Sequence, residues 1–170
     1  MARASVKENK TIYQVKREEL GLSREKAGEL LRWITPERLE RIESGKSNAH
    51  PDEVILMAEK YQCPYLCNHF CATECEIGKQ YVPEIRIKEL PQIILEMLAS
   101  LNYMQKKQER LIEITSDGVI EEEEIKDFLV IQKELAKISV TAETLRLWVE
   151  QRLASGEIDP DVYRSEKQKS

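Results

Sequence analysis

The sequence predicts an all-α chain: a four- to five-helix N-terminal domain, then a C-terminal helical hairpin or three-helix segment. Three observations carry this. Apolar residues recur at intervals of three and four, the period of a helix with one buried face. Glu, Lys, Leu and Ile dominate, all compatible with helix, while six Gly and six Pro in 170 residues leave little room for long irregular segments. Capping residues also punctuate the chain where helices should begin and end.

Taken in order, Ile12, Val15 and Leu20 sketch a first helix, which Gly21 and Leu22 break. Ser23 can cap a second, with Lys26 where a capping-box Glu would sit, running through Ala27, Leu30 and Leu31. Arg32-Trp33-Ile34 is the turn. Thr35 then caps a third helix, Pro36 suits its first turn, Gly45 ends it, and Leu39 and Ile42 form its buried face. Pro51 opens a fourth, with Val54, Ile55, Ala58 and Tyr61 along one side.

Beyond it lies CPYLCNHFCATEC, which holds all four cysteines, Cys63, Cys67, Cys71 and Cys75, with His69 inside the run and His50 upstream. Intervals of four drift only about 40° per step on a helix, so the thiols form one stripe that can be buried as small hydrophobes. A second reading is a metal or iron–sulfur site (zinc or a cluster) on Cys67, Cys71 and Cys75 with His69 or Cys63. That requires a helix break around Ala72 to Glu76, because an unbroken helix separates Cys63 from Cys75 by about 18 Å. A disulfide or redox-sensing pair is the third. The spacing leaves all three open.

A connector is expected over 76–89, where GKQYVPEIRIKELP, beginning at Gly78, reads as extended. Leu90, Ile94, Met97, Leu101, Met104, Gln108 and Leu111 then alternate steps of four and three, the repeat of a helix seeking a partner helix, with Ile93 and Leu98 widening the stripe. TSDG interrupts. A further helix carries Ile125, Phe128, Leu129, Leu135 and Ile138, and another runs from Thr141 to Leu153 with Leu145, Trp148 and Val149. Residues 157–170 form a polar tail expected to fray. Residues 90–156 are thus expected to be a dimerisation or effector segment, with homodimerisation through 90–153 and, as its rival, an intramolecular bundle that binds another protein. EITSDGVIEEEE overlays a calcium loop poorly: Glu113, Asp117, Gly118 and Glu124 fall in register, but Thr115 stands where an Asp or Asn belongs. A turn at Asp117-Gly118 is the simpler reading.

Charge bounds the function. The net is -5, yet residues 1–50 hold eleven basic against eight acidic side chains, residues 51–85 two against six, and residues 86–170 thirteen against seventeen. Any phosphate-facing surface therefore belongs to the first fifty residues. No run reaches the ~18 apolar residues of a membrane span, and MARASVKENK lacks a signal-peptide core, so a cytoplasmic protein without membrane contact is expected. Phosphate loops, G-x-S-x-G and H-E-x-x-H are absent, so neither enzyme chemistry nor a small-molecule substrate is inferred.

The stretch GLSREKAGELLRWITPERLERIESGKS is where a family comes into view. Gly21-Leu22-Ser23-Arg24-Glu25 and Arg41-Ile42-Glu43-Ser44-Gly45-Lys46-Ser47, at this separation, resemble the lambda-repressor-like, xenobiotic-response-element (XRE) helix-turn-helix regulators over about residues 8–70. The turn LRWIT is one residue longer than usual, and Gly28 stands where Ala is commoner. The resemblance implies a DNA-binding domain over residues 1–75, with the cysteine-rich edge at 63–75. It pairs Arg17 with Glu43 as a structural tie. It assigns base contacts to Thr35, Glu37 and Arg38, and phosphate contacts to Ser23, Arg24, Lys46 and Ser47 on double-stranded DNA, read by a homodimer. The alternatives are a non-enzymatic interaction module that keeps the fold, or a metal- or redox-sensing regulator using Cys63–Cys75.

Overall fold

A computed structural model describes residues 10–169. The opening MARASVKEN, on which the leader reading partly rests, lies outside the described residues. Helices account for the regular structure among the described residues, which divide into two compact units: one of residues 10–84 with 149–169, the other of residues 85–148.

In the first unit α1 (Ile12–Glu19), α2 (Arg24–Leu31), α3 (Pro36–Glu43), α4 (Pro51–Lys60) and α5 (Tyr65–Thr73) surround one core. The first three each start on a hydroxyl: Thr11, Ser23 and Thr35 accept hydrogen bonds from the N–H groups of Gln14, Lys26 and Arg38. Such caps satisfy donors that the first helical turn cannot. Glu53 does the same for α4 by accepting from the His50 N–H at 2.7 Å. Gly21 and Gly45 take positive φ, 67° and 72°, where the chain leaves α1 and α3.

Leu31, Leu39, Met57 and Leu66 are fully covered and form the centre of this core. The buried faces differ in detail from the sequence expectation. On α1, Tyr13, Gln14 and Arg17 face inward while Leu20 is exposed; on α2, Leu30 is exposed; on α4, Met57 takes the buried place expected of Ile55. Short helices have room for only two or three inward positions. A polar residue that finds a partner there can displace an apolar one.

The turn between α2 and α3 is a γ-turn centred on Arg32, at φ 61° and ψ -63°, closed by Trp33 N–H donating to the Leu31 carbonyl at 2.7 Å. Gly28 explains how α3 starts so close. A Cβ there would lie 3.0 Å from the Pro36 Cδ, so the missing methyl makes room for the proline ring. The two departures from the family pattern belong to one packing solution.

α5 ends at Thr73, inside the stretch where the metal reading needed a break, and α6 (Gly78–Tyr81) is a single turn inside the expected connector. A Cβ on Gly78 would sit 1.9 Å from the Cys71 carbonyl oxygen, so this reversal accepts only glycine. Tyr13 donates to Glu74 at 2.8 Å and ties the end of α5 to α1. α9 (Pro160–Lys169) is helical where a fraying tail was expected, with Asp159 accepting from the Asp161 and Val162 N–H groups at its start.

The second unit is an antiparallel hairpin of α7 (Leu90–Thr115) and most of α8 (Ile125–Ala154). Arg110 bonds Asp127 at 2.8 Å near the connecting loop. α8 runs through the point where a new helix was expected at Thr141. The hydroxyls of Thr141 and Thr144 donate back to the Lys137 and Val140 carbonyls, so they stay within the helix instead of capping one. In the loop, Asp117 accepts from the Val119 N–H and Glu124 from the Glu121 N–H. Those carboxylates are spent on the turn.

Candidate nucleic-acid interface

The interior side of α3 is organised by Glu43. Its carboxylate takes Nε and Nη2 of Arg17 at 2.6 and 2.8 Å and Nε of Arg24 at 2.8 Å. Glu43 is 1% exposed and Arg17 6%. A carboxylate this dry would carry a large desolvation cost without cationic partners, and here it has two. Arg17 also donates to the Leu22 carbonyl at 2.5 Å, so one guanidinium joins α1, the α1–α2 turn and α3. Its hydrogen bonds to Glu43 outweigh burial and raise its pKa above the ordinary value.

A second carboxylate–guanidinium pair lies at the other end of α3. Arg38 donates through Nε and Nη2 to Glu53, both at 2.6 Å, through Nη1 to the Ser47 hydroxyl at 2.7 Å and through Nη2 to the Asn48 carbonyl at 2.9 Å. Burial pushes the Glu53 carboxyl up, but the Arg38 hydrogen bond and the His50 N–H prevail and hold it below its usual value. Arg38, expected to contact a base, is engaged by protein partners in this structure. It braces the start of α4 against α3 and does not stand free at the tip. Reaching a base would cost it four hydrogen bonds to protein. Charge-assisted bonds of this kind contribute about 1.5–3 kcal/mol each, against about 1–3 kcal/mol of discrimination from one bidentate base contact. Ser47 is drawn into the same network.

The remaining predicted residues are placed as follows. Thr35 and Glu37 are exposed at the first turn of α3. Hydrogen bonds from its own N–H and from Thr35 hold the Glu37 carboxyl below its usual value, so it presents a charged acceptor. Ser23 caps α2, and Arg24 is half-shared between Glu43 and solvent, at 36% side-chain exposure. Lys46 is exposed and only loosely joined to Glu40, at 3.4 Å.

Four further residues of these elements are exposed: Lys26 on α2, Arg32 and Trp33 in the turn, and Arg41 on α3. Arg41 follows Glu37 by four residues, hence one turn along the same face. That spacing was the sequence signal for it. Trp33 is 54% exposed, and only the γ-turn reveals which way it points.

The cysteine run does other work. Cys63 belongs to the core, and burial pushes its thiol pKa up; Cys67 is half-buried and pushed up by burial and by neighbouring Cys71. Cys75 Sγ accepts the Gly78 N–H at 3.5 Å. All four are free thiols. His69 meets the Thr73 hydroxyl at 3.3 Å and lies against the rings of Tyr13 and Tyr65. Among the described residues no three His, Cys, Asp or Glu side chains are placed to hold one metal ion. Cys67, Cys71, Cys75 and His69 therefore do not fit as a coordination sphere. Nor does any helix among the described residues have the length and apolarity to cross a membrane.

No curated protein and no solved structure matches the chain. Residues 15–66 do match the helix-turn-helix family, and that span runs from α1 into α5, with α2 and α3 as the two helices of the motif. The N-terminal part of this chain is an XRE-like helix-turn-helix domain, the DNA-binding module of a family of transcription regulators.

Proposed function

We propose that the chain regulates transcription by binding specific duplex DNA sites as a homodimer, with the first turns of α3 entering the major groove. The observation that carries this is the division of labour among the charges of α3. Glu43 and Arg38 are committed to structural pairs, while Thr35, Glu37 and Arg41 are left on the exposed face. Arg41 can pair bidentately with guanine and Glu37 can accept from the cytosine amino group. Lys26, Lys46 and the free side of Arg24 supply phosphate contacts, with Ser23 fixing the start of α2 beside them. Arg17 and Glu43 keep the role of a structural tie.

Selection of bound duplexes from a random pool at moderate salt tests the reading. A shared motif is expected, with affinity falling steeply as salt rises through counterion release. Arg41→Ala should relax preference at one position by about 1–3 kcal/mol, whereas Lys46→Ala should weaken all sequences alike and flatten the salt slope by about one unit. No enrichment, together with salt-insensitive DNA retention, would favour an interaction module that has kept the fold.

A further inference from the structure

The α7–α8 hairpin leaves much of its own apolar surface uncovered, with Ile94, Leu98, Leu101, Ile112, Ile125 and Leu135 all exposed. Ile93, Ser100 and Ile114 of α7 are buried toward α8, with Met97, Met104 and Leu111 half-buried between them. The repeat expected from the sequence mixed this seam with another. Ile94, Leu98, Leu101, Gln105, Gln108 and Ile112 also advance by fours and threes, and all six are exposed. This second seam lies roughly 100° round the helix from the first, at one residue's rotation. α8 repeats the arrangement. Beside its buried contacts at Ile131, Glu134 and Thr141, a second seam runs through Ile125, Phe128, Gln132, Leu135, Ser139 and Ala142. Five of those six are exposed, Phe128 being half-buried. Because the two helices are antiparallel, their second seams fall on one face of the hairpin.

A helix in a four-helix bundle touches two neighbours about a quarter-turn apart, and this hairpin supplies only one to each helix. We infer that the face formed by these two seams is the docking surface for the same hairpin of a second copy, the two closing into a four-helix bundle. It is the surface that the proposed homodimer would use.

Charge identifies the occupant. The chain is 34% charged, yet none of the twelve seam positions carries a charge. A symmetric interface sets a patch against itself, so any charge near its axis would meet its like; this patch has none to meet. The opposite face of the hairpin is mixed: a groove of about 950 Å³ there is lined by Ala99, Tyr103, Val130 and Val140 together with Lys88, Glu96, Lys133 and Lys137. Size agrees as well. At 1.5 Å per residue the 26 residues of α7 span about 39 Å, and two helices side by side are about 20 Å wide. A face of that outline can bury about the 800 Å² per partner typical of stable complexes.

The test is sedimentation equilibrium of the full chain at micromolar concentration without DNA, so that a failure to recognise DNA leaves this result untouched. The wild type is expected at twice the chain mass. Leu98→Glu with Leu101→Glu should weaken self-association by at least 100-fold with unchanged far-ultraviolet circular dichroism, since both side chains are exposed in the single chain. Should that pair disturb the helices, Leu135→Gln, expected to weaken association by about tenfold, gives a milder second reading. Lys133→Ala on the opposite face should change nothing. A monomeric wild type, or a dimer that survives the seam variants or dissociates with Lys133→Ala, would overturn the inference.

Discussion

The helix-turn-helix core and the α7–α8 hairpin spend their residues in opposite ways. In the core, charged groups go inside: Arg17 and Glu43 are nearly fully covered, each supported by several hydrogen bonds, and the apolar centre is closed. In the hairpin, apolar groups go outside: Ile94, Leu95, Leu98 and Leu101 are 39–68% exposed within a single stretch of eight residues. The first pattern is that of a fold complete in itself, where ionic ties fix the angles between short helices. The second is that of long helices whose burial is unfinished in one chain.

The largest test of that contrast is to cut one member of the ionic tie. Arg17→Ala leaves Glu43 buried with only Arg24, and should cost about 3–5 kcal/mol, read as a fall in the urea midpoint with unchanged slope. Leu98→Ala in the hairpin, a comparable truncation of an exposed residue, should stay within about 0.5 kcal/mol at concentrations where the chain is monomeric. Equal losses at both sites would erase the distinction.

Gly78→Ala follows. Its new methyl would overlap the Cys71 carbonyl, and relieving the clash means displacing α6 from α5, at a cost of about 1–3 kcal/mol or somewhat more. The third test is acid. The Glu53 carboxyl is held below its ordinary value of 4.5, so its share of stability is present above that value and is lost as pH falls through the lower folded-state pKa. Thermal melts from pH 6 to pH 3 should fall less steeply for Glu53→Gln than for the parent, from a lower starting point. The smallest effect expected is a gain. Arg32→Gly relieves a side chain at positive φ, and should stabilise by up to about 1 kcal/mol in the same melts.

What the sequence disclosed and what it hid divide along physical lines. Hydroxyl caps and terminal glycines act within a few residues of where they stand, so Ser23, Thr35, Gly21 and Gly45 marked the helices of the motif directly. Thr141 misled for a related reason: a threonine can cap a new helix or bond back within an old one, and only the backbone decides. The Arg38–Glu53 pair was hidden because the partner lies fifteen residues on, at the start of another helix. The seams of α7 were blended because Ile93 and Ile94 both fit steps of three and four, and which of them turns toward α8 is a property of two helices together. The ladder of thiols had the period of a buried stripe, but only Cys63 is buried; the run is turned at its end by Gly78, which no periodicity announces.

The contact between Gly28 and Pro36 has an evolutionary corollary. Alanine at 28 would favour α2 by about 1 kcal/mol of intrinsic propensity, yet it would press on the proline ring that starts the next helix. Position 28 is tied to what stands at 36: chains that carry alanine at the first should carry something slimmer than proline at the second.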